Sequence, residues 1–251
     1  MGGNIRKGAH LRKDPSGTKR QIRDFEDYLV DVFERVKRQL LDDLGLRLMA
    51  LGDSNTTSRV DDAAARIVAT AESRVKQNAV RAALMGKAKS VQFLNSSGFN
   101  IEIQPGDRTP LDAQALRVLE QRNLLALQEI TDEMAKRIKS ELSEGILKGE
   151  GSDELARRIE RAVDDIGIVR AVAMARTETM YAFNTAAVAT YKANGVQRVE
   201  WLAAADDGRL CEDCADLDSN TYDIGDAPPM PFHVNCRCTF IPVVEMNSSV
   251  S

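Results

Sequence analysis

All four cysteines of this chain fall in its last 41 residues, as Cys211-x2-Cys214 and, after 18 intervening residues, His233-x2-Cys236 with Cys238 two positions on. His233 is one of only two histidines in the sequence. Thiolate sulfur and neutral imidazole nitrogen are the donors zinc prefers, and a structural zinc takes four of them in a tetrahedron. Two short chelating pairs about 15 to 20 residues apart have the spacing of such a site. Each pair chelates from one turn, and the chain between them closes the tetrahedron. Five candidates for four positions leave the choice open. Cys211, Cys214, His233 and Cys236 form one set; four cysteines with His233 outside form a second; a third puts Cys238 in place of Cys236. Any of them fills the ion's coordination and leaves no position for a catalytic water.

Competing chemistries fit poorly. A thioredoxin-type CxxC opens a helix after a strand and has no use for His233 and two further thiols. A zinc deaminase needs H-x-E ahead of P-C-x-x-C, whereas here the histidine follows the pair. Nuclease sites built on several histidines cannot be assembled from His10 and His233. Disulfides would be the expectation for an exported chain. The N-terminal stretch is Gly-rich and basic with no apolar run, so synthesis in a reducing cytosol is expected, where clustered thiols signal metal.

The elements that must position this cluster are mostly helical. Charged residues make up 29% of the chain and aromatics only 5%, with alanine, leucine, arginine and glutamate abundant, a composition that favours helices over a large sheet. Residues 1–18 read as a flexible basic arm carrying Arg6, Lys7, Arg12 and Lys13. An amphipathic helix is expected over about 19–48, with Phe25, Leu29, Val32, Phe33, Val36, Leu40 and Leu44 on one stripe. An alanine-rich helix follows over about 59–89. Val91–Leu94 and Phe99–Ile103, flanking Asn95-Ser96-Ser97-Gly98, read as a short hairpin near 91–104.

A third long helix is expected over about 111–147, its near-heptad interrupted by Asn123. A shorter one runs to about Asp165, capped by Ser152. Gly167 then separates it from a helix over about 168–194 that Gly195 ends. Arg198–Leu202 and Cys236–Val244 read as strands. The stretch between the two ligand pairs holds Pro228, Pro229, Pro231 and Gly225 and can bury little apolar area; a bound ion contributes on the order of 10 kcal/mol to holding such a segment. The net charge of −4 excludes a strongly basic nucleic-acid binder. Glu200 to Asp226 carries nine acids and only Arg209 as base, surroundings that repel phosphate. No apolar run reaches membrane-spanning length.

With Ala175-Arg176-Thr177-Glu178-Thr179, Trp201, Asp207-x-Arg209-x-Cys211-x2-Cys214, Pro231-x-His233-x-Asn235-Cys236-Arg237-Cys238 and Pro242 in place, residues 145–245 resemble the C-terminal domain of phage Mu protein F-like head-morphogenesis (minor head) proteins. The resemblance implies a minor capsid protein of a tailed virus or prophage, made in the host cytoplasm and placed in the virion at the head interior or portal vertex. Its implied partners are the portal protein and scaffold or major capsid protein. Residues 1–20 are candidates for contact with packaged DNA. In that family some members carry histidine at the second CxxC position, which fits a ligand role for Cys214. Arg176 and Glu178 are expected to fix how their helix docks on the zinc unit. Asp207 and Arg209 shape the turn before Cys211, Asn235 turns the ligand loop, Arg237 faces a partner or solvent, and Trp201 is core.

The resulting expectation is a mainly α protein. It has an elongated helical N-terminal bundle (19–150), a small α+β zinc-stabilised C-terminal domain (151–246) and a tail (247–251). It acts structurally and not as an enzyme. Two other readings are a toxin-like zinc enzyme related to ADP-ribosyltransferases and a zinc-knuckle nucleic-acid regulator. The absence of a Glu-x-Glu pair in a strand context counts against the first, and the acidic surroundings of the cluster against the second.

Overall fold

The computed structural model describes residues 14–45, 55–102, 111–204 and 210–244. Helices α1 (Lys19–Gly45), α2 (Asn55–Asn95), α3 (Ala113–Leu147), α4 (Ser152–Ala162) and α5 (Val169–Ala193) dominate. A small C-terminal sheet comprises β1 (Arg198–Leu202), β2 (Thr221–Asp223) and β3 (Thr239–Val243), with the short α6 (Glu212–Leu217) between β1 and β2. The chain is mainly α with a three-stranded sheet near its C-terminus, as its composition and periodicity imply. Packing divides it into two compact units that differ from a linear cut at residue 150. One comprises 1–22, 79–117 and 176–251; the other comprises 23–78 and 118–175.

In the second unit the stripe Phe25, Leu29, Val32, Phe33, Val36, Leu40 and Leu44 of α1 is buried with Val60, Ile67 and Val75 of α2 and Leu127, Met134 and Ile138 of α3. The 3-or-4 spacing of these residues is why the segments are helices: each gains a continuous apolar face to bury. Gly167 does not break the chain as the sequence suggests. It lies in a π-helical turn, Val163–Ile168, that joins α4 directly to α5. A Cβ there would stand 2.7 Å from the Phe33 ring, so the missing side chain serves close packing. Ser152 does not cap α4 either. Gly151 occupies the N-cap with no side-chain bond, and Asp153 and Glu154 supply negative charge to the first turn instead.

In the first unit the expected hairpin is replaced. Val91, Phe93 and Leu94 continue α2 because helix places all three in the core, at 6%, 5% and 0% exposure. Asn95 then mimics a strand partner: its Nδ2 donates to the Ile101 carbonyl at 2.9 Å and its Oδ1 accepts from the Ile101 N–H at 2.9 Å. Residue 103 lies outside the described residues. The end of the basic arm is also folded, contrary to the reading of 1–18 as flexible. Asp14 accepts from the N–H groups of Gly17 and Lys19, and Thr18, 1% exposed, donates to Met180 Sδ. Residues 1–13 lie outside the described residues.

The sheet of this unit is antiparallel in the order β2-β1-β3. Val199 and Trp201 alternate inward along β1, fully buried. β3 is an edge strand, which accommodates Pro242 without costing a ladder bond. Beneath the sheet, α5 turns a face of small residues, Ala182, Ala186 and Ala187, around Phe183 and Tyr191. Gly86 of α2 meets it so closely that a Cβ would lie 2.1 Å from the Phe183 carbonyl oxygen.

Helix propensity alone would make Gly86→Ala stabilising by about 1 kcal/mol. The obstructing atom is backbone and cannot rotate away, so overpacking wins. The expected outcome is a net loss of about 1–3 kcal/mol, read as an earlier midpoint in urea unfolding followed by Trp201 fluorescence. An unchanged or later midpoint would show that the two helices are free to separate.

Candidate metal centre

The cluster is assembled from three places in the first unit: the start of α6, the turn before β3, and the first residues leading into that strand. Cys211 is the N-cap of α6 and its sulfur accepts from the Cys214 N–H at 3.4 Å. This bond orients the first sulfur and, one helical turn on, Cys214 faces inward at 1% exposure. The second half is a turn in which the Cys236 N–H donates to the His233 carbonyl at 3.1 Å. Asn235 makes that turn in the left-handed region, at φ 67, which asparagine tolerates better than most side chains.

Two groups of donor atoms result, each with all members within 4.8 Å of one another: Cys211, Cys214 and His233, and Cys214, Cys236 and Cys238. They share Cys214. His233 Nε2 lies 3.2 Å from Cys211 Sγ and 3.1 Å from Cys214 Sγ, and Cys214 Sγ lies 3.9 Å from Cys236 Sγ. Around a tetrahedral ion with bonds of about 2.3 Å to sulfur and about 2.05 Å to nitrogen, the sulfur–sulfur edge is about 3.8 Å and the sulfur–nitrogen edge about 3.6 Å. The sulfur–sulfur spacing lies within about 0.1 Å of its edge, and both sulfur–nitrogen spacings fall about 0.4–0.5 Å short of theirs. His233 Nδ1 is 2.7 Å from the Val234 carbonyl, which assigns the ring proton to Nδ1 and leaves the Nε2 lone pair facing the sulfurs.

The protonation of the thiols follows from crowding in a buried space. Burial pushes the Cys214 thiol up to about 12, and the charge on Cys236 adds to the shift. The Cys238 thiol, donating to Cys236, holds Cys236 down to about 5 against the desolvation that opposes its charge, and backbone N–H groups of Cys238 and Phe232 assist. That same hydrogen bond, with burial, raises the Cys238 pKa. Burial and the shared hydrogen bond thus set Cys236 below its two buried neighbours, Cys214 and Cys238. The donors suit a metal ion in chemistry, and the groups in which they all lie within 4.8 Å of one another hold three donors each.

A cavity of about 270 Å³ opens beside the cluster and is lined by Arg176, Leu210, Val234 and Arg237 besides the ligands. Trp201 is fully buried, as expected, edge-on to Phe240 at 5.6 Å and to Phe232 at 5.9 Å. Arg176, Thr177 and Glu178 lie on α5, with Glu178 5% exposed. Asp207 and Arg209 lie outside the described residues. Cys236 and Cys238 precede β3 and are not strand residues, so strand alternation is not what turns both inward. Thr177, named in the ArgThrGlu motif, finds its contact here, while Asn184 and Tyr191 escaped the sequence reading. Thr177 accepts from the Asn235 N–H at 3.0 Å. Asn184 donates to the Cys238 carbonyl and accepts from Thr239. Tyr191 donates to the Phe240 carbonyl at 3.2 Å. Only the seven-residue spacing of the three on α5 hinted at a shared face.

The fold and site together define a mainly helical protein with a C-terminal Cys/His cluster that could hold a metal ion. Residues 136–241 match the family model described as Phage Mu protein F like protein, so this stretch is a domain of that family. Neither the curated proteins nor the solved structures contain a match to the chain. No helix among the described residues is long and apolar enough to cross a membrane.

Because Cys214 belongs to both donor groups, Cys214→Ser is expected to remove bound metal from the purified chain, measured by elemental analysis against protein concentration. Retention of a full equivalent would contradict the arrangement. The proton held by the raised Cys214 thiol must leave when the ion enters. Metal affinity is therefore expected to fall as pH falls, by at least about one proton per ion near neutrality. An affinity independent of pH would mean that the thiols are not the donors.

Proposed function

We propose that this chain is a head-morphogenesis protein of a tailed virus or prophage. In this reading it is a minor capsid component in the virion, acting structurally in procapsid assembly and in DNA packaging or delivery, with the portal protein as its principal partner. The observation that supports it is the Mu F-like match over 136–241, which encloses the ArgThrGlu motif, Trp201 and every member of the Cys/His cluster.

The ion in this reading is zinc, which suits a mixed sulfur and imidazole donor set and has no redox chemistry of its own. Cys211, Cys214, His233 and Cys236 hold it, and Cys238 keeps its proton as a donor to Cys236. With four protein ligands the ion's contribution is to fix the α6 turn against the turn before β3, a stabilising role and not a catalytic one. The acidic stretch around the cluster directs this face toward basic protein surfaces, and the basic residues of 1–13 toward DNA.

Quantitative mass spectrometry of DNA-filled particles and empty precursors from the source virus or induced prophage tests the reading. A few copies per portal ring in both is the expected result; absence from both would overturn it. Deleting residues 1–13, which spares the folded Asp14–Thr18 segment, should weaken DNA binding and flatten its dependence on salt. An unchanged salt slope would remove DNA from the list of partners.

A further inference from the structure

Thr177, Asn184 and Tyr191 recur every seven residues along α5. Seven residues fall about 20° short of two full helical turns, so the three side chains share one stripe. Each bonds a successive part of the segment that leads through the second ligand pair into β3. Thr177 Oγ1 accepts from the Asn235 N–H at 3.0 Å. Asn184 Nδ2 donates to the Cys238 carbonyl at 3.2 Å while its Oδ1 accepts from Thr239 Oγ1 at 2.7 Å. Tyr191 OH donates to the Phe240 carbonyl at 3.2 Å, and burial keeps the phenol protonated by raising its pKa.

We infer that this stripe is a register ladder for the metal centre, and that Thr177, the central residue of the ArgThrGlu motif, is a positioning residue for its ligands. The inference rests on the metal reading above. Cys236 lies between the first two rungs, and Cys238 supplies the second through its own carbonyl. Three of the four bonded groups on the segment are backbone atoms, so the ladder reads the position of the chain more than its side chains. A slip of one residue would bring Arg237 to the place of a cysteine. At the first rung the constraint is sharpest. Asn235 stands at φ 67 in the turn that the Cys236 N–H closes on the His233 carbonyl, and its own N–H is the one Thr177 holds. Asn184 is 1% exposed and Tyr191 0%, so neither rung competes with water. The motif thereby gains a role that neither ion pairing nor catalysis provides: the helix holds the peptide that holds the ion.

The test uses the full chain, with zinc affinity measured by competition against a chromophoric chelator and site geometry read from the absorption bands of bound cobalt(II). Thr177 is only half-buried and valine is its isostere, so Thr177→Val keeps the helix. It is expected to weaken zinc binding by about 10- to 100-fold, the usual cost of losing an outer hydrogen bond to a metal site. Its cobalt bands should shift, and Thr177→Ser, which restores the hydroxyl, should return both readouts toward the unmutated chain. Asn184→Leu should move them in the same direction as valine. Thr131→Val, which removes a hydroxyl donating to the Gln128 carbonyl in the other unit, should leave them unchanged. Thr177→Val with wild-type affinity and spectrum, or Thr177→Ser no better than valine, overturns the ladder alone. An unmutated chain that takes up neither zinc nor cobalt fails at the metal reading itself, and the ladder falls with it.

Discussion

Sulfur and nitrogen lone pairs held 3.1 to 3.9 Å apart, from buried Cys214 and Cys236 out to exposed His233, repel one another unless positive charge lies among them. The C-terminal unit is arranged around that constraint. Burial makes ionisation of Cys214 costly, whereas the hydrogen bond from Cys238 favours the charged form of Cys236. A dication answers the same demand with one particle. It would also tie α6 to the turn before β3, two segments whose proline-rich connection, expected to bury little, packs Met230, Tyr222 and Ile224 on the core. Coordination would add to the cohesion that the apolar core around Trp201 and Phe240 already supplies.

The helical scaffold matters to the site through close approach. α5 can serve as a platform because its neighbour α2 presents Gly86 where a methyl group would strike the Phe183 carbonyl. With α5 seated so tightly, its outer stripe becomes a fixed reference against which the ligand segment is aligned. β1 completes the support through Trp201, whose ring lies edge-on to Phe240 of β3 and Phe232 of the ligand turn. Polar bonds thus set the register while aromatic packing supplies the buried area.

The helices were legible in the sequence because their apolar stripes are long and periodic, and α1 buries each of the stripe residues named from its pattern. The ligand cluster was legible because cysteine and histidine are rare here and concentrated at one spacing. Val91–Leu94 misled because a short apolar run carries no period that separates strand from helix, and burial in the first unit decided for helix. Gly167 misled because a π-helical turn absorbs a glycine that local propensity would place at a break. The Thr177–Asn184–Tyr191 stripe was nearly invisible: three of its four partners are backbone groups, which leave no mark on composition. The short β2 was hidden because only its pairing with Arg198–Glu200 defines it.

The central claim is that the C-terminal unit closes around one four-coordinate ion with mixed sulfur and nitrogen donors. X-ray absorption at the zinc edge of the purified full chain addresses it directly. The account requires about three sulfurs at about 2.3 Å and one nitrogen at about 2.0–2.1 Å. A shell of four sulfurs would remove His233 from the site, and oxygen ligands or no bound zinc at all would contradict the claim outright.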